Sequence, residues 1–152
     1  QHRETVLQEV ADMRARISMA KAPAGTLDVK IGPGRLLDVE LVSQAGAVLA
    51  GLPVTDVASG LRGAVAIGWL DDADLTALNQ VYDLCWRVQV AARLVSEHPL
   101  EVSGMGQAGR DFLLRITGVR DVDSLQSRLV DLARQAADRI AKALPAHRED
   151  GP

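Results

Sequence analysis

The stretch DLTALNQVYDLCWRVQVAARLV, residues 74–95, decides the fold. Leu75, Leu78, Tyr82, Cys85, Gln89 and Ala92 recur in steps of three and four, which places them along one face of an α-helix. Asp71 or Asp72 is positioned to cap that helix, Asp74 adds negative charge to its first turn, and Pro99 closes the segment. About 25 residues rising 1.5 Å each make a rod of roughly 37 Å, long enough to be the spine of a bundle.

Working outward, the same period recurs on both sides. Toward the N-terminus a weaker helix is expected over 57–67, its stability lowered by Gly60, Gly63 and Gly68. Before it, Leu37, Leu41, Val42, Ala45, Val48 and Leu49 predict a buried stripe on a helix over 36–50, stopped by Gly51-Leu52-Pro53. Leu27, Val29 and Ile31 alternate with Asp28 and Lys30 as a short extended segment, and Gly32-Pro33-Gly34 forces a turn. Val6, Leu7, Val10, Met13 and Ile17 mark a first helix over 5–21, ended by Pro23 and Gly25.

Toward the C-terminus, the glycine-rich stretch 103–109 precedes a short helix over 110–116. A final helix over 122–143 is capped by Asp121 and buries Val122, Leu125, Leu129, Leu132, Ala136 and Ile140. Short connections imply antiparallel neighbours. The expected architecture is an all-α antiparallel bundle of about six helices with one short extended Gly-Pro-Gly loop near its start. Residues 1–144 form the helical domain, and residues 145–152 read as a flexible tail.

Composition narrows the function. The 152 residues are 47% hydrophobic but only 3% aromatic, so the core is aliphatic, as suits helices. The net charge of −3 and the lack of a basic, aromatic-laced stretch argue against a nucleic-acid surface. Cys85 is alone, and His2, His98 and His147 are too scattered to spell a zinc site. No apolar run reaches the roughly 20 residues of a membrane span, and no signal-peptide pattern opens the chain. A cytoplasmic location follows as the expectation. Because Gln1 is not an initiator Met, the chain is expected to be a piece of a longer polypeptide.

The informative segment is Asp28-Val29-Lys30-Ile31-Gly32-Pro33-Gly34-Arg35-Leu36-Leu37-Asp38-Val39-Glu40-Leu41. Backbone N–H groups around two glycines form anion-binding nests in some turns, and a helix N-terminus favours negative charge. Lys30, Gly32 and Gly34 therefore form a candidate phosphate contact. The other reading is that the glycines serve turn geometry alone, with Asp38 supporting the helix dipole. Asp38 and Glu40 also repel an anion unless an arginine or a metal intervenes.

This segment resembles the signature Asp-x-Lys-x-Gly-x-Gly-Gly-[Ile/Leu]-x-Asp-Ile-Glu-Phe-x-x-Gln of bacterial glutamine synthetase adenylyltransferases. Asp28, Lys30, Gly32, Gly34, Leu36, Asp38, Glu40 and Gln44 match, and Val39 replaces Ile. Met13-Arg14-Ala15-Arg16-Ile17 upstream is similar to the family's Met-Arg-x-Arg/Lys helix, and Gly68-Trp69-Leu70 to its Gly-x-Leu before a long helix. The relaxed Lys-x-Gly-x-Gly-Gly form also occurs in the related uridylyltransferases of the PII protein. Two departures stand out: Arg35 replaces the family's second glycine and Leu41 its Phe. A side chain at position 35 disfavours positive φ, so the loop is expected to turn differently or carry strain.

The resemblance implies a helical domain beside a nucleotidyltransferase domain that is not in this chain. The Asp38-Val39-Glu40 form is similar to the C-terminal, adenylylating half of these two-headed enzymes. Such enzymes transfer AMP from ATP, with Mg²⁺, to a tyrosine of glutamine synthetase and remove it by phosphorolysis, under control of glutamine and PII. The family's Gly-Ser…Asp-x-Asp centre is missing here: Asp121-Val122-Asp123 has the spacing but reads as a helix cap. The chain alone is thus expected to hold no catalytic residue, no metal ligand and no bound Mg²⁺ or ATP. The alternative is a non-catalytic module that binds PII, glutamine or glutamine synthetase. An exposed apolar face left by a missing neighbour would also let the fragment dimerise.

Other candidates have plainer readings. Asp71, Asp72 and Asp74 read as caps rather than a metal cluster, Cys85 as an inert core thiol, and Trp69 as packing. Trp86 lies off the main stripe, a position that suits an interface anchor. Arg87, Gln89 and Arg93 face either a cleft or solvent.

Overall fold

The computed structural model describes residues 2–20, 25, 27–95 and 104–148. Among these residues there are six helices: α1 (His2–Ala20), α2 (Leu36–Ala50), α3 (Val57–Ala66), α4 (Asp72–Val95), α5 (Gln107–Thr117) and α6 (Val122–Ala143). No strand forms among the described residues, and the all-α expectation holds. Helix α4 is the spine, touching α2, α3, α5 and α6, while α1 lies on α2. No helix is long and apolar enough to cross a membrane among the described residues.

The local chemistry accounts for the helix ends. Asp71 and Asp74 each accept the other's backbone N–H, at 2.7 and 3.0 Å, a reciprocal cap at the start of α4. Asp121 and Asp56 accept the Ser124 and Ser59 N–H groups at 2.7 Å and cap α6 and α3. Gly51 and Gly118 close α2 and α5 in the left-handed conformation. Asp74 also pairs with Arg139 at 2.9 Å, joining α4 to α6. The Asp71 and Asp74 carboxylates are thus engaged as caps, while Asp72 is exposed.

Several expectations change. The segment at 27–31 is not a strand: Leu27 and Val29 are buried and Lys30 is exposed, as alternation predicts, but there is no second strand to pair with. Its carbonyls serve α2 instead. The Leu36 N–H donates to the Val29 carbonyl at 3.0 Å and the Leu37 N–H to that of Lys30 at 3.1 Å. The first helix begins at His2, not near Thr5, and the short helix starts at Gln107; Lys21, Pro23 and Ser103 lie outside the described residues.

The buried faces of α2 and α4 are also rotated from the expected stripes. In α2 the buried positions are Leu36, Asp38, Val39, Val42, Ser43, Ala45, Gly46 and Ala47, whereas Val48 is exposed and Leu37, Leu41 and Leu49 are half-buried. The cause is close packing on α3. A Cβ added at Gly46 would sit 2.4 Å from the Gly60 carbonyl oxygen, and one added at Gly60 would sit 2.2 Å from that of Ser43. Gly60 and Gly63, expected only to weaken α3, instead let two helix backbones approach. In α4 the stripe runs through Ala77, Leu78, Val81, Leu84, Cys85, Val88 and Ala91, leaving Leu75, Tyr82, Gln89 and Ala92 half-buried.

Residues 145–148, read as the start of a flexible tail, lie along α1. Gln8 donates to the Ala146 carbonyl at 3.1 Å, and Asp12 receives His147 Nδ1 at 3.0 Å and the Arg148 N–H at 3.3 Å. Residues 149–152 lie outside the described residues.

Candidate functional site

The Gly-Pro-Gly turn is held from three sides. Gly32 and Gly34 take positive φ, 130° and 72°, which glycine adopts without a steric penalty. At Gly34 there is a second reason: a Cβ would lie 2.0 Å from the Ala133 carbonyl oxygen, so the turn abuts the backbone of α6. Arg35 is extended, with φ −97° and ψ −170°, and so carries no strain. The strain expected from the loss of the second glycine is absent, because the left-handed step occurs at Gly34. The Arg35 side chain is buried, and its guanidinium donates to the Asp28 carbonyl.

Asp38 organises the turn. Its carboxylate, only 7% exposed, accepts the Gly34 N–H at 2.7 Å through Oδ2 and Arg14 Nε at 2.8 Å through Oδ1. The cation that answers the acidic helix start is therefore Arg14 of α1, and the anion at the turn is the protein's own. The Arg35 N–H donates to the Gly32 carbonyl at 3.2 Å. With Leu36 and Leu37 bonded to Val29 and Lys30, the backbone donors from Gly34 to Leu37 are all engaged within the chain. The Lys30 side chain is exposed beside this turn, and the Lys30 backbone N–H donates to the Asp28 carboxylate at 3.2 Å.

The signature residues thus divide between two sides of α2. Asp38 faces α1 and meets Arg14 and Gly34. Glu40 is half-buried on the α4 side, where its charge, after the larger effect of burial, helps raise the Tyr82 hydroxyl pKa above its ordinary value. Gln44 is exposed. Arg14 was visible in sequence as part of the Met-Arg-x-Arg helix, but nothing local linked it to a carboxylate 24 positions away.

Beside the turn lies a groove of about 700 Å³ between α1, the start of α2 and the end of α6. Ala11, Ala15, Pro33, Leu37, Leu41 and Leu144 supply apolar walls, with Arg14, Ser18, Asp38 and His147 as its polar members. Sequence reasoning missed the Asp12–His147 contact, which joins positions 135 residues apart.

The remaining candidates have structural partners. Trp69 Nε1 donates to the Ala143 carbonyl at 2.9 Å. Trp86 is half-exposed and stacks on Tyr82, ring centroids 6.5 Å apart. Arg87 bonds Asp83 and the Ile116 carbonyl, bracing α4 against α5, while Arg93 is exposed. Cys85 is buried, and burial pushes its thiol up to about 12, against a smaller opposing effect of the Arg35 charge. Among the described residues no three His, Cys, Asp or Glu side chains converge as metal ligands.

Comparison with known proteins agrees with the signature. The chain is 29% identical over 134 residues to a bifunctional glutamine synthetase adenylyltransferase/adenylyl-removing enzyme of Mesorhizobium japonicum, covering 86% of this chain and 14% of that protein. It is 36% identical over 83 residues to the enzyme of the same name from Xanthomonas oryzae, covering 49% of this chain and 9% of that protein. A bifunctional uridylyltransferase/uridylyl-removing enzyme of Methylococcus capsulatus is 28% identical over 148 residues, 82% of this chain and 16% of that protein. No protein-family model matches the chain. No solved structure matches it. By these relatives and by the signature at 28–44, the chain is similar to part of the bifunctional glutamine synthetase adenylyltransferases, and it spans only about a seventh of the Mesorhizobium relative's length.

Proposed function

We propose that this chain is the helical domain of an enzyme that adenylylates glutamine synthetase, from the C-terminal half, and that it braces a neighbouring nucleotidyltransferase domain without supplying its catalytic centre. One observation carries the reading. Arg14, Gly34 and Asp38, all within the segments that resemble the family, converge through bonds of 2.7 and 2.8 Å. Those bonds fix the turn that carries Lys30.

In this reading the exposed Lys30 ammonium approaches the nucleotide phosphates as a point charge, with Gly32 and Gly34 setting the path of the chain. Asp28, Glu40 and Gln44 support the same segment. ATP and Mg²⁺ bind in the catalytic domain, where the metal would neutralise phosphate charge. Glutamine synthetase and PII are the partners, in the cytoplasm.

The test is Lys30→Ala in a polypeptide that joins this domain to a family catalytic domain. AMP transfer to glutamine synthetase is expected to fall, with a raised KM for ATP. Unchanged kcat and unchanged KM would remove Lys30 from the phosphate site.

The groove beside Arg14 favours a second reading, an interaction module that binds glutamine, PII or glutamine synthetase. It calls for heat of binding from at least one of the three in calorimetry with this chain. Silence from all three would dismiss it.

A further inference from the structure

Helix α1 is attached unlike the other five. It has 19 residues, of which only Ala11 is buried. No α1 residue belongs to the contiguous core, which draws on 27–42, α3, Leu70, α4, α5 and α6. Val6, Leu7, Val10 and Ile17 are half-buried, while Met13 and Met19 are largely exposed. The open groove further separates Ala11, Ala15 and Ser18 from Leu37, Leu41 and Leu144. Where a void replaces contact, the lining atoms lose dispersion partners.

Polar bonds fasten the middle of α1. Arg14 holds Asp38 of α2 at 2.8 Å. Asp12 receives His147 and the Arg148 N–H, and Gln8 reaches both Asp12 and the Ala146 carbonyl. Residues 144–147 in turn form a wall of the groove. We propose that α1 is a detachable arm, latched to a five-helix body by the Arg14–Asp38 pair and the bonds of Gln8 and Asp12 to residues 146–148. Release removes one groove wall and takes the guanidinium from the carboxylate that holds Gly34. Docking of α1 is thereby coupled to the groove and to the turn carrying Lys30. Most helical stability in proteins comes from packing of one face, so a released arm also frays.

Hydrogen–deuterium exchange on the 152-residue chain tests this. In the unsubstituted protein, amides of α1 are expected to exchange through an opening that leaves α4 and α6 protected. Arg14→Met retains much of the alkyl stem and removes the charge-assisted bond; Asp12→Asn weakens the second latch. Each should speed exchange in α1, about tenfold or more for Arg14→Met, with a larger effect in the double variant and α4 and α6 unchanged. Two results would overturn the proposal. One is equal opening free energy for α1, α4 and α6 in the unsubstituted protein, which can be read even if a variant fails to fold. The other is wild-type α1 exchange in the double variant.

Discussion

Arg14 Nε lies 2.8 Å from Asp38 Oδ1, and the other oxygen of that carboxylate holds the Gly34 N–H at 2.7 Å. One buried charge thus serves two segments of chain. A carboxylate that loses either partner in such a setting keeps its desolvation cost and loses the compensation.

Asp38→Ala strands the Gly34 N–H and the Arg14 guanidinium and should destabilise the domain by about 1.5–3 kcal/mol in urea unfolding, the range for hydrogen bonds to charged groups. Asp38→Asn, which keeps an acceptor for Gly34 but loses the charge facing Arg14, should cost less. Equal effects from both variants would mean that charge contributes nothing here.

The glycines separate geometry from propensity. Gly51 and Gly34 share a left-handed φ, 69° and 72°, but a Cβ at Gly51 meets nothing within 4 Å, whereas at Gly34 it meets Ala133 at 2.0 Å. Gly51→Ala should cost about 1–2 kcal/mol from φ alone. Gly34→Ala adds an overpacking cost of about 1–3 kcal/mol to that. Comparable unfolding midpoints for the two would show that the turn does not abut α6.

At Gly60 the two effects have opposite signs. Alanine in a helix interior gains about 1 kcal/mol over glycine. The Ser43 backbone 2.2 Å from the added Cβ cannot yield as a side-chain tip would. Gly60→Ala should therefore be destabilising on balance, and a higher melting temperature would show that α2 and α3 separate freely.

Acid should weaken the fold from one side. Asp121 and Asp56 titrate below their ordinary value because they accept the Ser124 and Ser59 N–H groups, and Asp12 chiefly because of its bond to His147. At Asp74 burial pushes upward but is outweighed by the Asp71 N–H and Arg139. Depressed folded values mean that the unfolded chain binds protons first as pH falls. The stabilisation is present above the unfolded carboxylate value and is lost below about pH 4. Melting temperature should be insensitive to these four groups between pH 5 and 7, and the acid-side loss should shrink in Asp121→Ala.

How much of this was legible in sequence depended on range. The bounds 36–50 and 122–143 were readable because Gly51-Leu52-Pro53 and the Asp121 cap punctuate them strongly. The inward face of α2 was not, since a pattern of large apolar residues points to Leu37 and Val48, while Ser43 and Gly46 make the close contact. The alternation at 27–31 gave the burial of Leu27 and Val29 but not the segment's role, because its carbonyls serve the start of α2. At the site, the signature named Asp38 and Gly34 but not the direction of their bonds. The Arg14–Asp38 and Asp12–His147 contacts span 24 and 135 positions, where local pattern carries no signal.

The measurement that bears most directly on the central claim is AMP transfer from labelled ATP to glutamine synthetase by a family enzyme whose own adenylylating helical domain is replaced by this chain. Retained transfer, well above that of the same enzyme with the domain deleted, is the predicted result, together with no transfer by this chain alone. Activity as low as the deletion, or transfer by the isolated chain, would contradict the account.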